Sequence, residues 1–171
     1  NTTGAFNTAL GKDALGSNTT ASYNTAVGTD ALTANTTGEY NTAVGVNALE
    51  SNVDGVRNTA VGFEALELNT TAAGNTAIGY AALDAGNGSN NVAIGEDALT
   101  ENTAADNVAV GRKAMESNTS GTYNTGIGRA ALAANTTADN NTAVGYAALN
   151  ANTTGTANVA VGSLSLDANT T

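Results

Sequence analysis

Hydrophobic and polar positions along the chain follow one short pattern that recurs from end to end. In the segment NTAVGTDAL, from Asn24 to Leu32, an asparagine precedes a threonine, an alanine, an aliphatic residue and a glycine, and an Ala-Leu pair follows. The unit recurs ten times, at a spacing of 17 residues that twice shortens to 16. Such a period predicts a solenoid or fibre of stacked repeats. Its leading asparagines, which define position 0 of each repeat, are Asn7, Asn24, Asn41, Asn58, Asn75, Asn91, Asn107, Asn124, Asn141 and Asn158.

Positions 1 to 3 predict a β-strand in every repeat, because they are rich in β-branched residues. Position 1 is threonine or valine and position 3 is always aliphatic, so the two-residue period of a strand places both on one face. We expect that face to form the core. The predicted core column at position 3 consists of Leu10, Val27, Val44, Val61, Ile78, Ile94, Val110, Ile127, Val144 and Val161.

The opposite face of the strand has almost no side-chain bulk. Position 2 is alanine in every repeat except at Gly126, and position 4 is always glycine. Such a face allows close approach of another segment or another chain. Because the chain has few bulky residues with which to build a core, we expect this alanine and glycine face to be buried against further copies.

A second apolar segment, at positions 7 and 8, is predicted to form the other wall of the core. Position 7 is alanine except at Ser165, and position 8 is leucine except at Met115. Stretches such as Glu96 to Glu101 favour a single helical turn, and a short strand is the alternative that the pattern leaves open. The rest of each repeat predicts a turn-forming connector that absorbs the changes in repeat length.

Stacking of the repeats predicts an all-β, parallel β-solenoid of ten coils, one for each repeat. Coils about 4.8 Å apart would make a rod about 48 Å long. Like residues then lie above like residues, so the leading asparagines are expected to form a ladder that fixes the register of the coils. A second asparagine, such as Asn35 or Asn52, begins nearly every connector and is expected to form a similar ladder.

The repeat fills residues 1–171 as a single domain, and the same repeat phase at both termini favours an excerpt of a longer repetitive fibre. With 15 acidic and 5 basic residues the net charge is −10, which opposes binding to nucleic acid or to anionic membranes. No apolar run reaches the roughly 18 residues of a membrane-spanning helix, so we expect no membrane insertion of this segment.

Residue types that carry catalysis are scarce. The chain has no His and no Cys, and its Ser and Thr residues occupy repeating positions, so the usual nucleophile and base are missing. Acidic residues at positions 6 and 9 form interrupted columns without a calcium-binding pattern. We therefore predict neither an enzyme nor a cofactor or metal site. Triplets of the N-x-S/T type provide candidate glycan acceptors, at Asn18, Asn35, Asn69, Asn118, Asn135 and Asn152.

The repeated motif resembles two groups of surface proteins. NVAIG, at Asn91 to Gly95, resembles the strand of head repeats in trimeric autotransporter adhesins. NTAVGYAALNANTTG, at Asn141 to Gly155, resembles repeat arrays of bacteriophage-like tail fibres and bacterial surface proteins. The resemblance covers all ten repeats, although the 17-residue period is longer than that of the adhesin heads. It implies a left-handed parallel β-roll, assembled as a parallel homotrimer in an extended extracellular stalk or fibre.

The leading hypothesis is a structural module of a surface adhesin or tail fibre, at a cell surface or on a virion tail, that spaces and presents a binding tip located elsewhere. Its expected partner is itself, and a host-surface glycan or protein would be contacted through that tip. A monomeric solenoid that polymerises end to end is the nearest alternative, because exposed strand edges invite pairing. A solenoid that binds ice or carbohydrate through threonine and asparagine ladders is the alternative from another class.

Overall fold

A computed structural model describes residues 2–171 as a stack of coils, each with one short strand at positions 1 to 3 of the repeat. The strands lie parallel in one sheet and follow chain order. Between them the described chain forms turns and bends and contains no helix. The predicted all-β parallel solenoid is confirmed. The strands are Thr8–Leu10 (β1), Thr25–Val27 (β2), Thr42–Val44 (β3), Thr59–Val61 (β4), Thr76–Ile78 (β5), Val92–Ile94 (β6), Val108–Val110 (β7), Thr125–Ile127 (β8), Thr142–Val144 (β9) and Val159–Val161 (β10).

Neighbouring strands pair at equivalent repeat positions throughout the sheet. Thr42 pairs with Thr59 across a 17-residue coil. A 16-residue coil keeps the same register, since Thr76 pairs with Val92. A one-residue shift inside a strand would turn every side chain to the other face, whereas the connector absorbs the difference without moving the sheet.

The core contains the alanines of position 2 instead of the aliphatic residues of position 3. Ala43 and Ala60 are fully buried and pack in one cluster with the alanines of position 7 and the leucines of position 8. Position 3 lies on the outside, where Val44 is 36% exposed and Ile78 is 39% exposed. The predicted core column is therefore wrong for the single chain. The expectation that other copies bury the alanine and glycine face is wrong as well, because the alanines are buried within the chain itself. None of Leu10, Val27, Val44, Val61, Ile78, Ile94, Val110, Ile127, Val144 and Val161 belongs to the buried cluster.

The physical reason for this inversion is the narrow cross-section of the coil. A repeat of 16 or 17 residues brings the strand close to the leucine wall, and in a close-packed interior only methyl groups leave room for the leucines between the two walls. The larger aliphatic side chains fit on the outside, where equivalent residues of the adjacent coils partly cover each of them.

One pair of exceptions shows how tightly the two walls fit. Gly126 replaces the alanine of position 2, and a Cβ at this residue would lie 2.9 Å from Cγ of Met115 in the preceding coil. Met115 is also the single residue at position 8 that is not leucine. The longer, unbranched methionine side chain thus fills the space that the missing methyl group leaves.

The second wall is neither a helical turn nor a strand. Positions 6 and 8 have left-handed backbone conformations in all ten coils, as in Glu64 with φ of 57° and Leu66 with φ of 56°. This conformation lets two consecutive side chains, those of Ala65 and Leu66, both bury fully. In an extended strand they would point to opposite faces. The backbone N–H of Leu49 donates to the carbonyl of Ala65 at 3.1 Å, so this wall is also hydrogen-bonded from coil to coil.

Candidate functional site

The leading asparagines form a ladder inside the stack. Oδ1 of Asn41 accepts a hydrogen bond of 2.9 Å from the backbone N–H of Asn58, and Nδ2 of Asn41 donates to the carbonyl of Gly55 at 2.8 Å. The same pattern recurs through the stack. Asn7 and Asn158 are partly exposed, and the asparagines between them are buried. The predicted ladder is therefore present, and it joins each amide side chain to the backbone of the next coil.

A second asparagine column, at position 11, forms direct contacts between amides. Nδ2 of Asn69 donates to Oδ1 of Asn52 at 2.7 Å. Gly86 interrupts the column, and Oδ1 of Asn69 is accordingly buried without a hydrogen-bond partner among the described residues. Both columns also hold the connector, since Asn41 and Asn52 donate to the same carbonyl of Gly55.

Burial of this column contradicts the predicted glycan acceptors. The candidates are at most 1% exposed, and their Nδ2 atoms donate hydrogen bonds inside the stack. Attachment of a glycan requires Nδ2 at the surface, so the prediction is wrong for Asn18, Asn35, Asn69, Asn118, Asn135 and Asn152. Exposed asparagines of the same triplet type are found at Asn87 and Asn140.

Sequence reasoning missed a third ladder, which threonine hydroxyls form at position 12. Oγ1 of Thr103 donates to the carbonyl of Thr119 at 2.9 Å, and Oγ1 of Thr119 donates to the carbonyl of Thr136 at 3.0 Å. The recurring NTT of the connectors could have predicted this ladder. However, Val53 interrupts the threonine column, and the composition of the connectors is typical of turns. These hydroxyls tie the connectors of adjacent coils together.

The side chains of positions 1 and 3 of β1 to β10 form what we call the outer face. With one aliphatic residue per coil, it is a continuous, largely apolar stripe, and such stripes on protein surfaces are typical of interaction sites. Val92, Val108 and Val159 extend the apolar character to position 1. Position 1 is threonine in the remaining repeats, and the hydroxyls of these threonines make no hydrogen bond within the described chain. They are Thr8, Thr25, Thr42, Thr59, Thr76, Thr125 and Thr142.

Aromatic side chains stack from coil to coil at two places on the surface. Phe6, Tyr23 and Tyr40 end successive connectors, with ring centroids 5.0 Å and 4.9 Å apart. Phe63 and Tyr80, at position 5, stack at 5.5 Å beside the outer face. Stacked rings bury part of their faces against one another, so they stabilise the stacking of coils.

Asp84, at position 9, is a carboxylate whose hydrogen-bonding capacity is not satisfied. Its Oδ1 is buried and has no partner among the described residues. Burial, and then the charge of Glu64 in the preceding coil, raise the pKa of Asp84 above its usual range. At the equivalent position Asn150 donates Nδ2 to the carbonyl of Ala130, 20 residues earlier, at 3.0 Å. For Asp84 the corresponding acceptor, 20 residues earlier, is the carbonyl of Glu64. An ionised carboxylate has no proton to donate to this carbonyl.

The Asp84→Asn variant is expected to raise the free energy of unfolding by about 1 kcal/mol near neutral pH, because an amide can donate to Glu64 and carries no charge. A carboxyl whose pKa is raised on folding stabilises the native state below that pKa and destabilises it above. The gain should therefore shrink as the pH falls through the raised pKa of Asp84. Urea unfolding at neutral and acidic pH measures both effects. Asp167→Asn, at an exposed equivalent position, is the control, and an equal gain there would contradict this explanation.

Residues 2–171 show no pocket and no group of three or more potential metal ligands among their His, Cys, Asp and Glu residues. Within the same range, no helix has the length and apolar character needed to cross a membrane. The features that the structure does present are the three hydrogen-bonded ladders and the outer face.

The fold defines this chain as a parallel β-solenoid of short repeats stacked in register. No family model, no curated protein and no solved structure matches the chain. The ladders and the outer face are the features of the described chain that bear on its role.

Proposed function

We propose that this chain is a structural module of an extracellular surface adhesin or tail fibre. Three parallel copies form a stalk of left-handed β-rolls that spaces and presents a binding tip located elsewhere. The observation that carries the proposal is the outer face, which has an aliphatic side chain in each of the ten strands. In the described chain no segment covers this face, as the exposure of Val44, Ile78 and Ile127 indicates.

Register supports parallel association of identical copies. Every coil presents the same two columns at the same height, because the strands pair at equivalent positions from β1 to β10. Copies placed side by side in parallel therefore meet level by level over about 48 Å. Around a three-fold axis their outer faces would enclose a common apolar core, with the connectors on the outside.

Each coil adds a small apolar contact to such an interface, so the free energy of association grows with the number of coils. A long array thus converts a weak contact per coil into stable assembly. Position 5 adds further apolar area beside the outer face, because Val46, Phe63 and Tyr80 are exposed there in successive coils.

Sedimentation or light scattering of the chain is expected to give the mass of three chains. Val61→Lys places a charge in the middle of the outer face and brings three ammonium groups together at one level, so its mass should fall to that of one chain. Because the side chain points outward, its circular dichroism should stay unchanged. The matched control is Thr71→Lys, an exposed connector residue of the same coil, which should retain the mass of three chains.

Three results would contradict this assembly. A wild-type chain that remains single at high concentration would show that the outer face needs no cover. A Val61→Lys variant that keeps the mass of three chains would place the contact elsewhere on the molecule. A mass that grows continuously with concentration would favour end-to-end polymerisation of single solenoids instead.

A second candidate function is binding of ice or carbohydrate along the solenoid. The observation in its favour is the column of threonine hydroxyls on the outer face, which make no hydrogen bond within residues 2–171 and repeat at about 4.8 Å. This function needs the outer face to be free in solution, so it competes with assembly through that face. A single-chain mass with thermal hysteresis, or with retention on insoluble polysaccharide, would support it, and absence of both activities would remove it.

A further inference from the structure

We infer that Asn87 is a site of spontaneous covalent modification, at which attack by the backbone nitrogen of Gly88 converts the side-chain amide to a carboxylate. Asn87 is the single asparagine of the chain that precedes a glycine. Asparagines of the two ladders precede threonine or valine and are mostly buried, whereas the side chain of Asn87 is exposed in the connector before β6. This inference does not depend on the proposed function.

The reaction needs water as its only co-reactant, and asparagine is a thermolabile residue. The backbone nitrogen of Gly88 bonds to Cγ of Asn87 and closes a five-membered imide. The bond from Cγ to Nδ2 breaks, and ammonia leaves with the proton that the backbone nitrogen has lost. Water then opens the ring at one of its two carbonyls, which gives aspartate or the isomer whose main chain runs through the former side chain. A following glycine exposes its nitrogen, whereas β-branched residues shield theirs.

Two hydrogen bonds prepare the amide of Asn87 for attack. Its Oδ1 accepts from the backbone N–H of Thr70 at 3.2 Å and from Oγ1 of Thr70 at 3.1 Å. Both donors stabilise the negative charge that develops on this oxygen when Cγ is attacked.

The residue that supplies the attacking nitrogen is held at its carbonyl, while the nitrogen itself is free to react. The carbonyl of Gly88 accepts a hydrogen bond from Nδ2 of Asn75 at 2.8 Å. The backbone N–H of Gly88 donates no hydrogen bond within the described residues, so none has to break before this nitrogen reacts.

The aspartate product fits the fold, because an aspartate already makes the same pair of hydrogen bonds at a different position of the repeat. Oδ1 of Asp139 accepts from the backbone N–H of Thr122 at 2.7 Å and from its Oγ1 at 3.0 Å. A carboxylate at residue 87 would accept from Thr70 in the same way, through charge-assisted bonds that are stronger than neutral ones. The isomeric product adds a methylene to the main chain, and it would disturb the close contact of Gly88 with the carbonyl of Ala104.

Incubation of the folded chain at neutral pH, followed by proteolysis and mass spectrometry, measures conversion at each asparagine. Asn87 is expected to react about tenfold or more faster than the exposed Asn140, which precedes another asparagine. Thr70→Val removes one donor and should slow the reaction several-fold, and Thr70→Ser should restore it. Asn87→Asp reports on the product, and its urea midpoint should equal or exceed that of the wild type.

Three results would overturn the inference. If Asn87 reacts no faster than Asn140 in the folded chain, then neither the following glycine nor the local structure promotes the reaction. An unchanged rate in Thr70→Val would show that the hydroxyl of Thr70 plays no part in the reaction. Rapid conversion in urea together with slow conversion in the folded chain would mean that the fold protects Asn87.

Discussion

The Gly62→Ala variant is expected to lose about 3 to 6 kcal/mol of unfolding free energy, through backbone strain and steric overlap together. Gly62 has φ of 143°, a conformation that L-residues with a side chain rarely adopt. A Cβ there would overlap the carbonyl oxygen of Gly79 and lie 2.7 Å from its carbon. Movement of either glycine would disrupt a backbone hydrogen bond, because the N–H of Gly62 donates to the carbonyl of Val44 and that of Gly79 to the carbonyl of Val61, both at 2.9 Å.

Gly162→Ala is the matched control for this effect. Gly162 has a similar φ of 128°, but a Cβ there would meet nothing closer than Cβ of Ser165 at 3.9 Å. Its expected cost is the strain alone, about 1 to 3 kcal/mol. Urea unfolding gives the totals, and amide hydrogen exchange in β4 and β5 shows whether the damage is local. Equal losses in both variants would mean that the close approach of the coils contributes nothing.

The Asn58→Ala variant is expected to lose about 2 to 4 kcal/mol, because it leaves the buried N–H of Asn75 without its partner and removes one of the two hydrogen bonds to the carbonyl of Ala72. Oδ1 of Asn58 accepts from the N–H of Asn75 at 3.0 Å, and its Nδ2 donates to the carbonyl of Ala72 at 2.8 Å. Alanine can do neither. Thermal or urea unfolding measures the loss, and hydrogen exchange at the amide of Asn75 should accelerate with it.

Asn158→Ala provides the comparison within the same column. Nδ2 of Asn158 has no hydrogen-bond partner among residues 2–171, and the bond of its backbone N–H to Oδ1 of Asn141 survives the substitution. Stability should change little in this variant. If protection of the amide of Asn75 persisted in Asn58→Ala, the leading ladder would not hold the coils together in the way described.

Much of the fold follows from the spacing of residues in the sequence. The recurrence of position 0 locates all ten strands, and the confinement of length changes to the connectors keeps the strands in register. The ladder of Asn41 and its equivalents also follows, since identical residues in stacked coils must lie above one another.

The inward face of the strand could not be predicted, because a strand of three residues gives both faces a consistent pattern. The alternation of Thr42, Ala43 and Val44 fits either orientation. What decides it is the volume left beside Leu49, and this depends on how closely the two walls approach.

The conformational preferences of the individual residues also gave no indication of the left-handed backbone in the second wall. Leucine rarely adopts a left-handed conformation, yet Leu66 does so with φ of 56°. Hydrogen bonds to adjacent coils, such as that from Leu66 N–H to the carbonyl of Ala82 at 3.0 Å, hold it there. The predicted glycan acceptors failed for a related reason, because stacking buries asparagines such as Asn35 that belong to polar, turn-like segments.

Coils of 16 and 17 residues stack in the same register, so one coil can be removed or added without disturbing the strand pairing of the others. Excision of residues 75–90 would bring β6 directly onto β4, with positions 1 to 3 still matched. It would also bring Nδ2 of Asn102 to the Oδ1 of Asn69 that Gly86 leaves unpaired. Unequal recombination of the gene can therefore shorten or lengthen the rod in steps of about 4.8 Å. The length of the rod can therefore evolve by whole coils while its cross-section stays the same.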